Sequence, residues 1–298
     1  MAEPETVVLA GATGDLGQRI GLALVARGAR VRAILRPSTP RDVRDRLTAQ
    51  GMAPVDSAFD ATSLTQICTG AGCVVSALNG LEDVILGQQG ALLDAAVAAG
   101  VPRFVPSDFS LDYTGTRPGQ NRNMDLRRAF RARLDAAPIR ATSVLNGAFS
   151  TVLTQDAPIL LPRLRRVLHW GDADQVLNFT AKDDVASYTA DAALDADAPR
   201  DLRIAGGSVS ANGLARIATQ LSGTPYRTIR AGGMTRLGTV IRLTRAMAPA
   251  TGAVFPAWQG MQYLRDMMSG RGALDPLDND RYGPRDWSDV PAMISGLV

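Results

Sequence analysis

The first residues with a chemical purpose are Gly11-Ala-Thr-Gly14-Asp-Leu-Gly17. They follow a β-branched run, Thr6–Ala10, and open a helical pattern over Asp15–Arg27 with Leu16, Ile20, Ala23 and Leu24 on one face. Glycines permit a tight turn and let backbone approach a pyrophosphate. The helix start adds unpaired N–H groups and the positive end of the helix dipole. Gly17 lets the helix pack closely on a sheet. The glycines are spaced GxxGxxG, and in this strand–turn–helix setting they predict a dinucleotide site. The next strand, Val31-Arg-Ala-Ile-Leu-Arg36, ends in arginine with no acid beside it in the chain. An acid there would accept the ribose 2′-hydroxyl of NAD, whereas a guanidinium forks onto the 2′-phosphate of NADP. Arg36 is the expected clamp, with Ser38 and Thr39 as further donors. The competing account of Arg36 is a solvated strand-end charge.

Scarce residue types exclude other chemistry. The chain has one histidine, His169, and two cysteines, Cys68 and Cys73. That is too few for a zinc-dependent dehydrogenase, and the cysteine spacing is neither a CxxC pair nor a disulfide framework. No metal is expected. Only one of the 32 basic residues is a lysine, Lys182.

The elements that must position the turn read clearly in the first half. Strands are expected at Thr6–Ala10, Arg30–Leu35, Ala53–Phe59, Cys73–Ala77, Arg103–Val105 and Ala141–Leu145. Helices are expected at Asp15–Arg27, Arg41–Gln50, Ser63–Thr69, Val84–Ala99 and Asn123–Ala136. This alternation predicts an α/β fold with a parallel sheet covered on both faces. The second half is punctuated by prolines, among them Pro158, Pro162, Pro199 and Pro225. Helices are expected there at Asp183–Asp195 and Ala211–Leu221, a strand at Leu202–Ala205, and a helix followed by a Pro/Asp-rich tail over 255–298. The expected division is a nucleotide-binding domain over 1–155 and a smaller substrate part over 156–298, with room for some of its strands to return to the first sheet.

At 298 residues, 46% hydrophobic and 20% charged, the chain has ample core for one large or two modest domains. No run of about 18 apolar residues predicts a membrane span. The acidic start Met1-Ala-Glu-Pro-Glu5 is unlike a secretory signal, so a cytoplasmic protein without a membrane partner is expected. Charge is uneven. Residues 115–140 hold seven arginines and two aspartates, and 224–246 hold five arginines and no acid. Such patches suit a dinucleotide phosphate, a protein partner or plain solvation, and nucleic acid is not the expected partner.

The GATGDLG turn, the strand ending LRP, VVSALNG at 74–80 and RFVPSDFS at 103–110 resemble the NmrA-like and isoflavone-reductase-like proteins, which are atypical short-chain dehydrogenases. The resemblance continues through 126–149 and FTAKDDVASYTADA at 179–192. It implies a Rossmann-like doubly wound sheet binding NADP(H), with a smaller α+β substrate part at the C-terminal side. It also implies roles for individual residues. Gly11, Thr13, Gly14, Asp15, Leu16 and Gly17 form the pyrophosphate turn. Arg36 meets the 2′-phosphate, and Asp60 lies near the adenine. Ser76, Ala77 and Leu78 lie beneath the cofactor. Ser107 and Phe109 stand near the nicotinamide, with Asp108 replacing the usual glutamate. Asn146 is placed on the cofactor side of the next strand end and Phe149 faces the substrate.

Ordinary short-chain dehydrogenases use Tyr-x-x-x-Lys, which this chain cannot build: Asn178 stands four residues before Lys182, and Tyr113 with Arg117 lies in a Gly/Pro loop. Isoflavone-reductase-like enzymes use a lysine where this chain has Arg127. Arginine does not act as a general base, but it can donate hydrogen bonds to a carbonyl oxygen or a ribose. Arg127 is therefore the catalytic candidate, against the plainer account that it solvates its helix with Arg128, Arg131 and Arg133. His169 is expected to be a packed or surface residue, Thr180 a helix cap, and Trp258, Tyr263, Tyr282 and Trp287 core rather than pocket roof. Two functions stay open. One is an NADP(H)-dependent oxidoreductase for a small aromatic carbonyl, alcohol or quinone. The other is a non-catalytic NADP(H) sensor that regulates a protein partner. A homodimer is compatible with either.

Overall fold

The computed structural model describes residues 4–153, 159–249 and 252–298. Most of the acidic start, Pro158 and the expected boundary at 155/156 lie outside the described residues. In chain order the regular elements are β1 (Thr6–Ala10), α1 (Asp15–Ala26), β2 (Arg30–Leu35), α2 (Arg41–Ala49), β3 (Ala53–Asp56), α3 (Ala61–Cys68), β4 (Cys73–Ser76), α4 (Gln89–Ala98), β5 (Arg103–Val105), α5 (Arg122–Asp135), β6 (Arg140–Ala141) and β7 (Ser143–Leu145). Then come β8 (Ala148–Phe149), β9 (Leu160–Leu161), β10 (Arg166–Trp170), β11 (Leu177–Thr180), α6 (Lys182–Leu194), β12 (Asp201–Arg203), β13 (Gly207–Val209), α7 (Ala211–Ser222), β14 (Arg227–Gly232), α8 (Met234–Met247), α9 (Ala257–Met268) and α10 (Val290–Ile294). Among the described residues no helix is long and apolar enough to cross a membrane.

The chain forms two compact units. The first comprises Met1–Asp108, Leu126–Val144 and Val185–Leu202. The second comprises Phe109–Asp125, Leu145–Asp184 and Arg203–Val298.

The first unit holds a six-stranded sheet in the order β3-β2-β1-β4-β5-β6. Every neighbouring pair is parallel. This is the Rossmann-like doubly wound order, and the strand order reverses at β1/β4. Parallel strands covered on both faces become continuous apolar runs, and Val7, Val8, Leu9 and Ala10 of β1 are all fully buried. Helix α1 buries Gly17, Ile20, Gly21 and Leu24, so glycines replace the expected Leu16 and Ala23 on its inner face. A side chain at Gly21 would overlap Met52, so the missing Cβ sets how closely α1 lies on the sheet. Opposite, Phe104 and Phe130 pack with ring centroids 6.2 Å apart in a core shared with Leu64, Leu92 and Leu134.

The expected strand Ala141–Leu145 is two strands. Thr142 separates them, its N–H donating to Phe104 (3.0 Å). β6 continues the large sheet and β7 pairs with β12. β3 ends at Asp56 rather than Phe59, because Ser57 Oγ accepts the Phe59 N–H (2.9 Å) in a turn that puts Phe59 at φ 63°. The start of the expected helix Val84–Ala99 is a wider π turn over Asp83–Gln88.

Two expected outcomes belong to this unit. Arg103 of β5 is buried and donates to the Ala192 and Asp195 carbonyls (3.2 and 2.6 Å) and to Glu5 (2.6 Å). Arg103→Met keeps the stem but strands these acceptors. It is expected to cost about 2–4 kcal/mol, read as a lowered denaturant midpoint with unchanged slope. Burial pushes the Cys68 and Cys73 thiols up to about 11 and about 12. Both are therefore expected to ignore a thiol reagent in the native protein and to react fully once it is unfolded.

The second unit is built from short strands in sheets β14-β10-β9 and β13-β11-β8. Its core gathers Tyr113, Leu145, Val167, Phe179, Leu214 and Leu264. Trp258 is buried there, with the Arg122 and Arg245 guanidinium groups 4.7 and 5.0 Å from its ring, so it is core as expected. His169 is buried in β10, and desolvation together with Arg230 lowers its pKa. Thr180 is not a helix cap. It ends β11, and its hydroxyl donates to the Asn146 carbonyl (2.7 Å), because the strand, not the helix, takes it.

Candidate nucleotide-binding site

In the first unit β1 runs into Gly11, whose φ of +87° a side chain rarely adopts. A Cβ there would stand 2.6 Å from the Ala77 carbonyl oxygen, and a Cβ at Gly17 would overlap the Gly11 carbonyl. The turn closes by Gly14 N–H to Gly11 (3.0 Å) and continues into the helix by Gln18 N–H to Gly14 (2.9 Å). Gly14 caps α1 with extended backbone and no side-chain hydrogen bond. The first-turn N–H groups are left for an external acceptor, while Thr13, Gly14 and Asp15 stand exposed at the switch point. Asp15 is held by Arg19 (2.7 Å) one turn on, and Leu16 is half-buried.

Arg36 follows β2 and is exposed. Among the described residues its guanidinium makes no hydrogen bond or ion pair. Its backbone is fixed: the Arg36 carbonyl accepts from Thr39 N–H (2.9 Å) and from Arg44 (3.1 Å), and Arg44 also bonds the Thr39 carbonyl (3.1 Å). An acid does stand beside this strand end. Asp56 pairs in register with Leu35, a neighbour invisible in the linear sequence. Arg44 binds that carboxylate at 2.5 Å, which offsets its charge. The end of β2 thus presents a preorganised, uncommitted cation.

Asp60 caps α3, accepting from the Ser63 N–H (2.9 Å) and hydroxyl (2.6 Å), and these bonds lower its pKa. Ser76 at the end of β4 is fully buried, and its hydroxyl has no partner among the described residues. Ala77 N–H donates to Ala10 (2.9 Å), tying the ends of β1 and β4 together. The Ser107 hydroxyl donates to the Leu78 carbonyl (2.6 Å), and its N–H donates to the Gln89 side chain (2.9 Å). The Gly cradle, the open helix start, the orphan Ser76 hydroxyl and the free Arg36 together fit a phosphorylated dinucleotide.

Arg127 does not solvate the surface. It is buried, and its Nε donates to the Ser107 carbonyl (3.1 Å). Arg127, Arg131 and Asp135 follow one another at four-residue spacing on α5. Arg131 forks onto Asp201 (2.5 and 2.8 Å), and Asp135 accepts from Arg200 (2.7 Å). Arg200 also donates to the Ser143 hydroxyl (2.6 Å), which donates to the buried Asp108 carboxylate (2.6 Å). Gln89, Ser143 and Arg200 were not singled out from the sequence. Arg133 is exposed and paired with Asp94 (2.6 Å), as a solvated helix face requires.

Phe109, Asn146 and Phe149 belong to the second unit. Phe109 is buried. Asn146 is fully buried, its N–H donates to Ser110 (2.9 Å), and its Oδ1 has no partner among the described residues. Phe149 is half-exposed at the end of β8.

A model of the NmrA-like family matches residues 3–231. The chain belongs to this family. Among curated relatives, this NmrA-like chain is 30% identical over 198 residues to a bifunctional pinoresinol-lariciresinol reductase of Linum usitatissimum, covering 61% of this chain and 63% of the relative. It is 29% identical over 205 residues to pinoresinol reductase 1 of Arabidopsis thaliana, covering 63% and 64%. The match thus spans less than two thirds of either relative. The fold is also that of a solved structure described as AtPrR2 with NADP+ and (+)pinoresinol, with TM-score 0.83, 21% identity and full coverage of both chains. An NADPH-dependent quinone oxidoreductase from Escherichia coli matches with TM-score 0.73 and 18% identity over 98% of this chain and 99% of that one.

Proposed function

We propose that this NmrA-like protein is an NADP(H)-dependent oxidoreductase acting on a small aromatic carbonyl, alcohol or quinone. The observation that carries the proposal is the pairing of an uncapped Gly-rich helix start at the strand-order reversal with the free Arg36 at the adjacent strand end. On this reading the turn from Gly11 to Gly17 holds the pyrophosphate and Arg36 holds the 2′-phosphate. Asp60 borders the adenine side, and Ser76, Ala77, Leu78 and Ser107 line the floor. The first unit binds the nucleotide. The second offers Phe109, Asn146 and Phe149 to the nicotinamide and substrate. The names of the curated relatives support an aromatic substrate. Once bound, the cofactor supplies or accepts a hydride. Arg127 then serves as a fixed hydrogen-bond donor that stabilises negative charge on oxygen and moves no proton itself. Two buried free cysteines suit a reducing compartment, so the cytoplasm is its proposed location.

The test is NADPH oxidation by purified protein with pinoresinol, quinones, aromatic aldehydes and enones, with NADH in parallel. Turnover preferring NADPH supports the proposal. The arginine at 127 favours one second reading, a sensor without catalysis. Binding of NADPH with no turnover across the panel, and gain of reductase activity in Arg127→Lys, would select that reading.

A further inference from the structure

Reduction of a carbonyl needs a proton as well as a hydride, and Arg127 cannot release one. The only lysine of the chain lies in the second unit, and its surroundings differ from those of a surface lysine. Lys182 opens α6 directly after β11. β11 and β8 run parallel, with Thr180 in register with Phe149. The Thr180 hydroxyl bonds the Asn146 carbonyl, which fixes the end of β7 to the same place (2.7 Å). Asn146, Phe149 and Lys182 are thereby gathered at one set of strand ends. Lys182 Nζ stands over the Phe149 ring, 5.9 Å from its centroid, within the range of a cation–π contact. Both side chains are half-buried, and the Asn146 amide oxygen beside them is buried without a partner among the described residues.

We propose that Lys182 is the proton donor to the substrate oxygen, with Phe149 as the aromatic surface against which the substrate lies. This rests on the oxidoreductase reading above. The carbonyl carbon gains a hydride from the reduced nicotinamide, which is oxidised, and the carbonyl oxygen becomes an alkoxide. A Lys182 Nζ–H bond breaks, an O–H bond forms on that oxygen, and the neutral amine regains its proton from water. An ammonium can perform this step and a guanidinium cannot. The chain therefore divides the usual lysine's duties: Arg127 supplies fixed hydrogen bonds, and Lys182 supplies the proton.

The single lysine makes the test specific. NADPH affinity is measured first, and a chain that binds no NADPH overturns the nucleotide reading and this role with it. In a chain that binds NADPH, Lys182→Met is expected to lower kcat by about 100-fold or more, with KM changed less than about threefold and NADPH affinity unchanged. Lys182→Arg, which keeps the charge, is expected not to restore kcat. Reductive methylation with isotope-labelled formaldehyde marks only Lys182 and the α-amino group. The Lys182 resonance is expected to shift when the best panel substrate, or phenanthrenequinone where none turns over, is added to the NADP+ complex. Native-like kcat in Lys182→Met or Lys182→Arg, or a resonance unmoved by every probe, overturns the assignment of Lys182 alone.

Discussion

Alanine at Gly17 is expected to abolish dinucleotide binding. The added Cβ overlaps the Gly11 carbonyl oxygen and lies 2.7 Å from the carbonyl carbon and 3.2 Å from the Ala12 nitrogen. All three obstacles are backbone, so no rotamer relieves them. Either the turn opens or the first turn of α1 moves, and both scatter the N–H groups that would meet the pyrophosphate. Overpacking of this kind costs about 1–3 kcal/mol in stability. Displacing several charge-assisted hydrogen bonds at once, each worth about 1.5–3 kcal/mol, places NADPH affinity at least about 100-fold lower. Titration with NADPH checks this, with circular dichroism to verify that the fold persists. Gly14→Ala is the control for the overlap argument. Its Cβ would lie 3.4 Å from the same carbonyl, an ordinary contact, so it is expected to unfold at nearly the native midpoint. Native affinity in Gly17→Ala would contradict the assignment of the turn.

The second large effect concerns cofactor choice. Arg36→Ala is expected to lower NADPH affinity by about 10–100-fold while leaving NADH affinity within about twofold, because only NADPH carries the phosphate the guanidinium would fork onto. The asymmetry separates this role from a structural one. Arg36 side-chain atoms hold nothing else in place, whereas Arg44 bonds the Arg36 and Thr39 carbonyls and Asp56. Arg44→Ala is therefore expected to lower stability as well as NADPH affinity. Equal losses for both nucleotides in Arg36→Ala would make Arg36 a simple strand-end charge.

The nucleotide half was legible because its strands are short, fully buried and separated by glycines, so periodicity and turn chemistry agree. β1, α1, β2 and the GxxGxxG turn needed no distant partner to be recognised. The second half was less legible for a physical reason. β14 has the burial pattern eieeii and therefore no alternating apolar face, and β10 mixes arginine and histidine into its strand. Helix α8 buries only Leu237 and Ile241. None of these three carries a clear signal in one sequence. The same limit applied to the site. Arg127 could be placed by resemblance, but whether it was buried depended on Ser107, 20 residues away. The Ser143 and Arg200 supports act across 35 and 57 residues. Thr180 was misassigned because a Thr-Ala-Lys-Asp string looks the same before a helix whether it caps the helix or ends a strand. Lys182 gained meaning only when parallel pairing of β8 and β11 brought Phe149 beside it.

The most direct test of the central claim is equilibrium titration of the native protein with NADPH and with NADH under identical salt and pH. The Gly-rich turn and Arg36 together predict that both bind and that NADPH binds about 10–100-fold more tightly. Equal affinity, preference for NADH, or no binding of either would contradict the claim that the first unit is an NADP(H) site.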